Sequence, residues 1–235
     1  MKANRAETAL SRLLAAAGPF RIFAFAALVL LAACASKEDE EVRKLRAKAT
    51  YEQAVRNLTE NRLALGMAAL KEALQLDPRN AQYHNTLGLV LLNLGRPVDA
   101  QAEFQTAIDL DKTSPDFQHN LGIALAQQSR FDDAIATYKK ALTYPTYTTP
   151  EVAYYNMGEA YIRLGKPQEA QESFRAAIQL EPTMVAAHYG LGLALSQGGR
   201  KDDAKAAFRQ ARDLDPASPF SELAKSALKQ LGDGG

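Results

Sequence analysis

The 235-residue chain is long enough to bury a substantial core, and its abundant Ala, Leu and Gln favour helix throughout. It carries 28 Lys and Arg against 27 Asp and Glu, so no strongly basic surface indicates a nucleic-acid partner. Its one cysteine, Cys34, excludes an internal disulfide.

The amino-terminal segment predicts a secretory signal peptide over residues 1–33. Residues 1–21 carry scattered basic charge, and an uninterrupted apolar run from Ile22 to Ala33 follows. A helix of that length rises about 18 Å, short of the roughly 30 Å apolar core of a bilayer. A basic region before a short apolar run is typical of signal peptides, and an N-terminal membrane anchor helix is the alternative.

The apolar run ends in Leu31-Ala32-Ala33-Cys34, which resembles the lipobox of bacterial lipoproteins. The resemblance implies cleavage before Cys34, diacylglycerol on its thiol and acylation of the new amino terminus, which together anchor stably. Ala35 and Ser36 follow, without the Asp that commonly retains such proteins in the inner membrane, so an outer-membrane location is implied. Residues 34–46 are then a lipidated Cys and a short charged lead into the first helix.

From residue 81 onward the sequence repeats with a period near 34 residues. Each repeat has two small residues twelve positions apart, then an aromatic four residues later and an alanine three further on. The small pairs are Gly88/Ala100, Gly122/Ala134, Gly158/Ala170 and Gly192/Ala204, and the aromatics are Phe104, Tyr138, Phe174 and Phe208. A turn residue lies between the two members of each pair, at Gly95, Ser129, Gly165 and Gly199.

This pattern resembles the tetratricopeptide (TPR) repeat and covers nearly all of residues 47–218. The resemblance implies an all-α fold, a right-handed superhelical solenoid of about five helix-turn-helix repeats over 47–80, 81–114, 115–150, 151–184 and 185–218. We expect residues 219–235 to form a capping helix and tail. The first repeat looks degenerate, because Asn57 and Gly66 occupy core-type positions.

The third repeat is longer than the others and ends in Tyr144-Pro145-Thr146-Tyr147-Thr148-Thr149-Pro150. Two prolines and two tyrosines predict a stiff, extended excursion from the repeat. Because both rings look exposed, we expect Tyr144 and Tyr147 to extend the binding edge of the molecule.

The sequence offers no arrangement of residues that indicates catalysis, a cofactor or a metal site. His84, His119 and His188 are interpreted as half-buried packing residues. The pairs Asp132/Asp133 and Asp202/Asp203 favour a helix start, where carboxylates interact well with the helix dipole, over a catalytic role. We expect neither a small-molecule substrate nor a nucleic-acid partner.

The TPR resemblance also implies a groove, because the first helices of such repeats line a concave face. The positions facing it are Asn85, Leu89, Leu92, His119, Ile123, Ala126, Tyr155, Glu159, Ile162, Tyr189, Leu193 and Ser196. These residues are mostly apolar with aromatic and amide edges, which is typical of a protein-binding surface. The alternative is that some of them only pack on neighbouring helices.

The stretch from Ala141 to Gly158, with its Tyr-Pro segment, is similar to type IV pilus secretin pilotins of the PilF, PilW and Tgl type. That resemblance implies a non-enzymatic scaffold, lipid-anchored in the outer membrane and facing the periplasm, that binds secretin subunits and promotes their assembly. A general envelope TPR adaptor for peptidoglycan enzymes or a protease remains an alternative. A barrel-assembly lipoprotein is another.

Overall fold

The computed structural model describes residues 19–233, with side chains from residue 39 onward. This part of the chain contains eleven α-helices and no strand, so the predicted all-α fold is confirmed. The helices are α1 (Pro19–Thr59), α2 (Leu63–Leu76), α3 (Ala81–Asn93), α4 (Pro97–Leu110), α5 (Pro115–Gln127), α6 (Phe131–Ala141), α7 (Pro150–Arg163), α8 (Pro167–Leu180), α9 (Val185–Gln197), α10 (Lys201–Leu214) and α11 (Pro219–Gln230).

The predicted signal peptide and Cys34 lie outside the residues whose side chains are described. The backbone of residues 19–38 is the first part of α1. Within the described part of the chain, no helix has the length and apolar character that crossing a membrane requires.

The chain divides into two compact units, residues 1–78 and residues 79–235. In the first unit α1 packs against α2, with Ala54 and Leu70 fully buried between them. A Cβ on Gly66 would lie 2.6 Å from the side chain of Leu58 and 3.3 Å from the carbonyl oxygen of Ala54. Gly66 therefore supplies the close approach that alanine supplies in later repeats. The first repeat keeps the small pair with Ala and Gly exchanged, and it has Leu70 where the later repeats have an aromatic.

In the second unit α3 to α10 form four consecutive helix pairs, and α11 packs on α9 and α10. The second helix of each pair buries one aromatic ring almost completely, and these four rings are Phe104, Tyr138, Phe174 and Phe208. They are the largest fully buried side chains in the unit, so they supply much of the apolar area that stabilises each pair.

The glycine of each small pair makes room for that ring. A Cβ on Gly88 would lie 2.5 Å from the Phe104 ring, and one on Gly158 would lie 2.7 Å from the Phe174 ring. Each ring therefore packs against the first helix of its own pair. Phe174 also lies against the next pair, because a Cβ on Gly190 would come within 2.5 Å of it.

The turn inside each pair requires a left-handed residue. Gly95, Gly165 and Gly199 have φ of 68°, 67° and 78°, a region that glycine enters without steric cost. Ser129 occupies the same position with φ of 61° although it carries a side chain. This turn therefore holds strain that the other three avoid.

The acidic pairs at the starts of α6 and α10 have a structural role. Asp133 is paired with Arg130 at 2.7 Å, and Asp203 is paired with Arg200 at the same distance. Each Arg–Asp ion pair joins the residue before the helix to the first turn of that helix, where a carboxylate also interacts favourably with the helix dipole. This arrangement supports the helix-start interpretation over a catalytic one.

Candidate protein-binding groove

The first helices of the four pairs, α3, α5, α7 and α9, pack side by side and carry all twelve predicted groove residues. Leu89 and Glu159 are exposed, and eight more are half-buried: Leu92, Ile123, Ala126, Tyr155, Ile162, Tyr189, Leu193 and Ser196. The remaining two, Asn85 and His119, are 5% and 9% exposed. The structure thus places ten of the twelve at least partly in solvent.

The side chains of Asn85 and His119 are buried and hydrogen-bonded within the protein, so their assignment to an open groove was wrong. The amide of Asn120 on α5 donates to Oδ1 of Asn85 on α3 at 2.9 Å. One pair further along, the amide nitrogen of Asn156 on α7 lies 3.4 Å from Nε2 of His119 on α5. Both contacts join neighbouring first helices, and buried polar groups of this kind are stable because they are hydrogen-bonded.

His119 is also held by the connection between α6 and α7. Its Nδ1 is hydrogen-bonded to the Tyr147 hydroxyl at 2.6 Å, and its ring contacts Tyr138 and Tyr147 at centroid distances of 5.5 and 5.9 Å. Burial lowers the pKa of His119 below its ordinary value, with Asp116 acting weakly in the opposite direction. The imidazole is therefore neutral at pH 7 and belongs to a buried polar cluster.

The predicted extended excursion is instead a compact turn. Tyr147 N–H donates to the Tyr144 carbonyl at 3.1 Å, which closes a turn with Pro145 at its second position. The Tyr144 hydroxyl donates to the Lys112 carbonyl at 2.9 Å, and Tyr147 is only 8% exposed. The expectation that Tyr147 is an exposed part of a binding edge was therefore wrong, because its hydroxyl has a buried partner in His119.

Tyr155 and Tyr189 form the aromatic part of the groove. Tyr155 packs on Phe174 at a centroid distance of 5.8 Å, and Tyr189 contacts both Phe208 at 5.6 Å and Phe220 at 5.9 Å. Desolvation, together with the nearby charge of Glu159, raises the pKa of Tyr155 to about 12. The same two causes raise the pKa of Tyr189. Both hydroxyls stay neutral in the physiological range, so these rings offer apolar faces and neutral hydrogen-bonding groups.

A surface pocket of about 440 Å³ lies between α5 and α7. Ile123, Ala126 and Phe131 contribute its apolar wall, and Glu159 and Arg163 stand among its polar residues. The guanidinium of Arg163 lies over the Phe131 ring at 5.3 Å from the centroid. The repeat pattern gave no reason to include Phe131 and Arg163, since neither falls on a position assigned to the concave face.

The other two histidines have partners within their own surroundings. Nδ1 of His84 lies 2.7 Å from a carboxylate oxygen of Glu103, and Nε2 of His188 donates to the Pro182 carbonyl at 2.9 Å. Both side chains are half-buried, in agreement with the packing interpretation. From residue 39 to residue 233, no three His, Cys, Asp or Glu side chains group in a way that could hold a metal ion.

Comparison with known proteins gives a family and several similar structures. A family model described as tetratricopeptide repeat matches residues 51–115, 85–148 and 155–219. A comparison with curated proteins finds no match. The crystal structure of PilW, described as a widely conserved type IV pilus biogenesis factor, is 22% identical with a TM-score of 0.73, covering 80% of this chain and 86% of PilW.

Two further structures have the same fold. PilF of Pseudomonas aeruginosa is 20% identical with a TM-score of 0.70, over 81% of this chain and 86% of PilF. MamA is 25% identical with a TM-score of 0.65, over 73% of this chain and 92% of MamA. In each case the similarity extends over most of the other solved chain.

Proposed function

The chain belongs to the tetratricopeptide-repeat family of protein-interaction scaffolds, and we propose that this member binds subunits of a type IV pilus secretin. The observation that carries the proposal is the row of half-buried apolar and aromatic side chains on α5, α7 and α9. Ile123, Tyr155, Ile162, Tyr189 and Leu193 follow one another on adjacent helices. A row of apolar and aromatic side chains of this kind suits an extended or helical protein segment.

The pilus assignment is supported by the fold shared with PilW and PilF, of which PilW is a type IV pilus biogenesis factor. It is supported further by the Tyr-Pro segment after α6, which resembles the corresponding segment of secretin pilotins. At these identities the structures share only a fold, so the partner and its role belong to the proposal.

The proposal includes a lipid anchor on Cys34 that holds the scaffold on the periplasmic face of the outer membrane. The lipobox-like sequence before Cys34 and the short lead of residues 34–46 support this placement. An anchored groove raises the effective concentration of a bound secretin subunit at the membrane where it must assemble. The scaffold promotes assembly by binding and localisation, without a chemical step.

The test measures denaturant-resistant secretin multimers in outer membranes from a strain lacking the gene. We expect the multimers to be lost while secretin monomer persists, and we expect the wild-type gene to restore them. A Cys34→Ser gene should fail because the lipid is missing, and a Tyr155→Ala, Tyr189→Ala gene should fail because the groove is altered. Normal multimers in the deletion strain would contradict the secretin role and favour a general envelope adaptor.

A further inference from the structure

Glu159 stands apart from the other predicted groove residues because it is their only charged side chain. It lies on α7 one turn after Tyr155, and residues four apart lie on the same face of a helix. No Lys or Arg occupies any of the twelve groove positions. A partner's terminal carboxylate would therefore meet an acid at these positions, and the cation in the adjacent pocket, Arg163, lies over the Phe131 ring.

The carboxylate of Glu159 has no hydrogen bond and no ion pair among the residues whose side chains are described. Arg163 follows it by one turn, but its guanidinium lies over Phe131 and forms no ion pair with Glu159 in this part of the chain. Surrounding protein nevertheless desolvates the carboxylate enough to raise its pKa, an effect that Arg163 only partly offsets. A carboxylate that is partly desolvated and accepts no hydrogen bond can still bind a cation.

Two tyrosines and a pocket lie near this acid. Tyr155 lies one turn before Glu159 on α7, Tyr189 lies on the neighbouring helix α9, and both rings are half-buried. The charge of Glu159 contributes to the raised pKa of both hydroxyls. Aromatic faces attract Lys and Arg side chains, most strongly where water is partly excluded. On the other side, the pocket that Glu159 shares with Ile123 and Phe131 has room for an aliphatic or aromatic side chain.

We propose that Glu159, with Tyr155 and Tyr189, binds a Lys or Arg side chain of the partner, and that the adjacent pocket holds a neighbouring apolar side chain. This inference rests on the proposed function in that it specifies which partner segment the groove accepts. It requires a basic residue beside an apolar one in that segment, and it excludes a segment whose central charge is acidic.

The probe is a phage-displayed library of random 12-residue peptides, selected on the full lipidated protein in detergent micelles. We expect the selected peptides to be enriched in Lys or Arg next to an apolar residue. Selection on a Glu159→Gln protein should lose the basic enrichment, and a representative peptide should bind it about tenfold more weakly.

The matched control is Glu172→Gln, which removes an exposed carboxylate from α8, the second helix of the same pair. It should keep the basic enrichment, because the overall charge changes by the same amount but the groove does not change. Thermal melting of both variants should match the wild type, since neither side chain is buried.

The outcomes separate this inference from the secretin role. Apolar peptides without basic enrichment, or basic enrichment that survives Glu159→Gln, would overturn the cation site, and so would a selection that yields no binding peptide. Normal secretin multimers in the deletion strain, together with Glu159-dependent basic peptides, would remove the secretin role and leave the site intact for another partner.

Discussion

His119 and Tyr155 occupy the same position in two consecutive repeats, yet His119 is buried and Tyr155 is half-buried on the groove. Each ring packs on the aromatic of its own pair, Tyr138 for His119 and Phe174 for Tyr155. The longer connection after α6 brings Tyr147 over His119 and closes that position. After α8 the connection is short, and Tyr155 and Tyr189 stay half-buried and open to the groove. The repeat thus sets where a side chain lies, and the connection decides whether a partner can reach it.

The two junctions also differ in what joins neighbouring pairs. Between α5 and α7 the contact includes a buried polar cluster of His119, Tyr147 and Asn156, beside an apolar part to which Leu121 and Met157 contribute. Between α7 and α9 the contact is apolar, because Phe174 fills the space left by Gly158 and Gly190. Three experiments weaken one of these junctions each, and a fourth changes the turn inside a pair, in order from the largest expected effect to the smallest.

Phe174→Ala should destabilise the protein most, by about 3–5 kcal/mol, because it removes a fully buried ring that serves two helix pairs. Urea denaturation at pH 7 followed by circular dichroism measures the loss. Phe220→Ala is the control, and its half-buried ring should give a clearly smaller loss. Equal losses for the two variants would contradict a junction centred on Phe174.

Tyr147→Phe should destabilise the protein by about 1–3 kcal/mol, because it leaves His119 Nδ1 buried without its partner. Tyr154→Phe is the matched control. Its hydroxyl forms no hydrogen bond within the described part of the chain, so we expect a change below about 0.5 kcal/mol. A Tyr147→Phe variant as stable as Tyr154→Phe would show that the polar cluster does not hold the junction.

Acidification should weaken the polar junction selectively. The pKa of His119 is lowered in the folded protein, so below pH 6.5 the unfolded chain binds more protons than the folded one. The stability from this group is complete above pH 6.5 and is lost as pH falls toward the folded pKa, by at most about 1.4 kcal/mol per pH unit.

Glu159 has a raised folded pKa and acts with the opposite sign, since its folded form gains protons first as pH falls. The contribution of His119 is therefore measured as the difference between the wild type and His119→Gln from pH 7.5 to 5. We expect wild-type stability to fall more steeply over this interval. Parallel curves for the two proteins would contradict a neutral, buried His119.

Ser129→Gly should give the smallest change, a stabilisation of about 0.5–1 kcal/mol, because it removes a side chain from a left-handed residue with φ of 61°. The reverse change at the equivalent turn, Gly165→Ser, should destabilise by a similar amount, since Gly165 has φ of 67°. Chemical denaturation of the two variants side by side tests whether the turn position has one conformational requirement in both repeats. A destabilised Ser129→Gly variant would contradict it.

The sequence predicts the helix pairs well because their constraints recur at fixed spacing. Gly158 and Phe174 can be paired from the repeat alone. In the structure the Phe174 ring lies 2.7 Å from the place that a Cβ at position 158 would occupy. The partner of His119 could not be found in this way. Tyr147 lies 28 residues away in a connection that has no counterpart in the other repeats, so no periodic signal links the two.

The sequence likewise predicts part of the groove and misses another part. The repeat placed Tyr155, Glu159 and Tyr189 on neighbouring helices, because position within a helix follows from the period. It did not indicate Arg163 over Phe131, since neither residue falls on a position assigned to the concave face. Periodic reasoning therefore finds which helix face carries a site, and contacts outside the repeated positions, such as that of Tyr147 with His119, decide which of its residues stay accessible.

The central claim, that the open part of the groove holds a secretin subunit, is tested most directly by crosslinking in cells. Tyr155 is replaced by the photoreactive residue p-benzoylphenylalanine, and Leu180, which is 50% exposed at the end of α8, is replaced in a second strain as the control. Ultraviolet irradiation should join the Tyr155-substituted protein to secretin and leave the Leu180-substituted protein without that product. Equal crosslinking from both positions, or a Tyr155 product that contains no secretin, would contradict the claim.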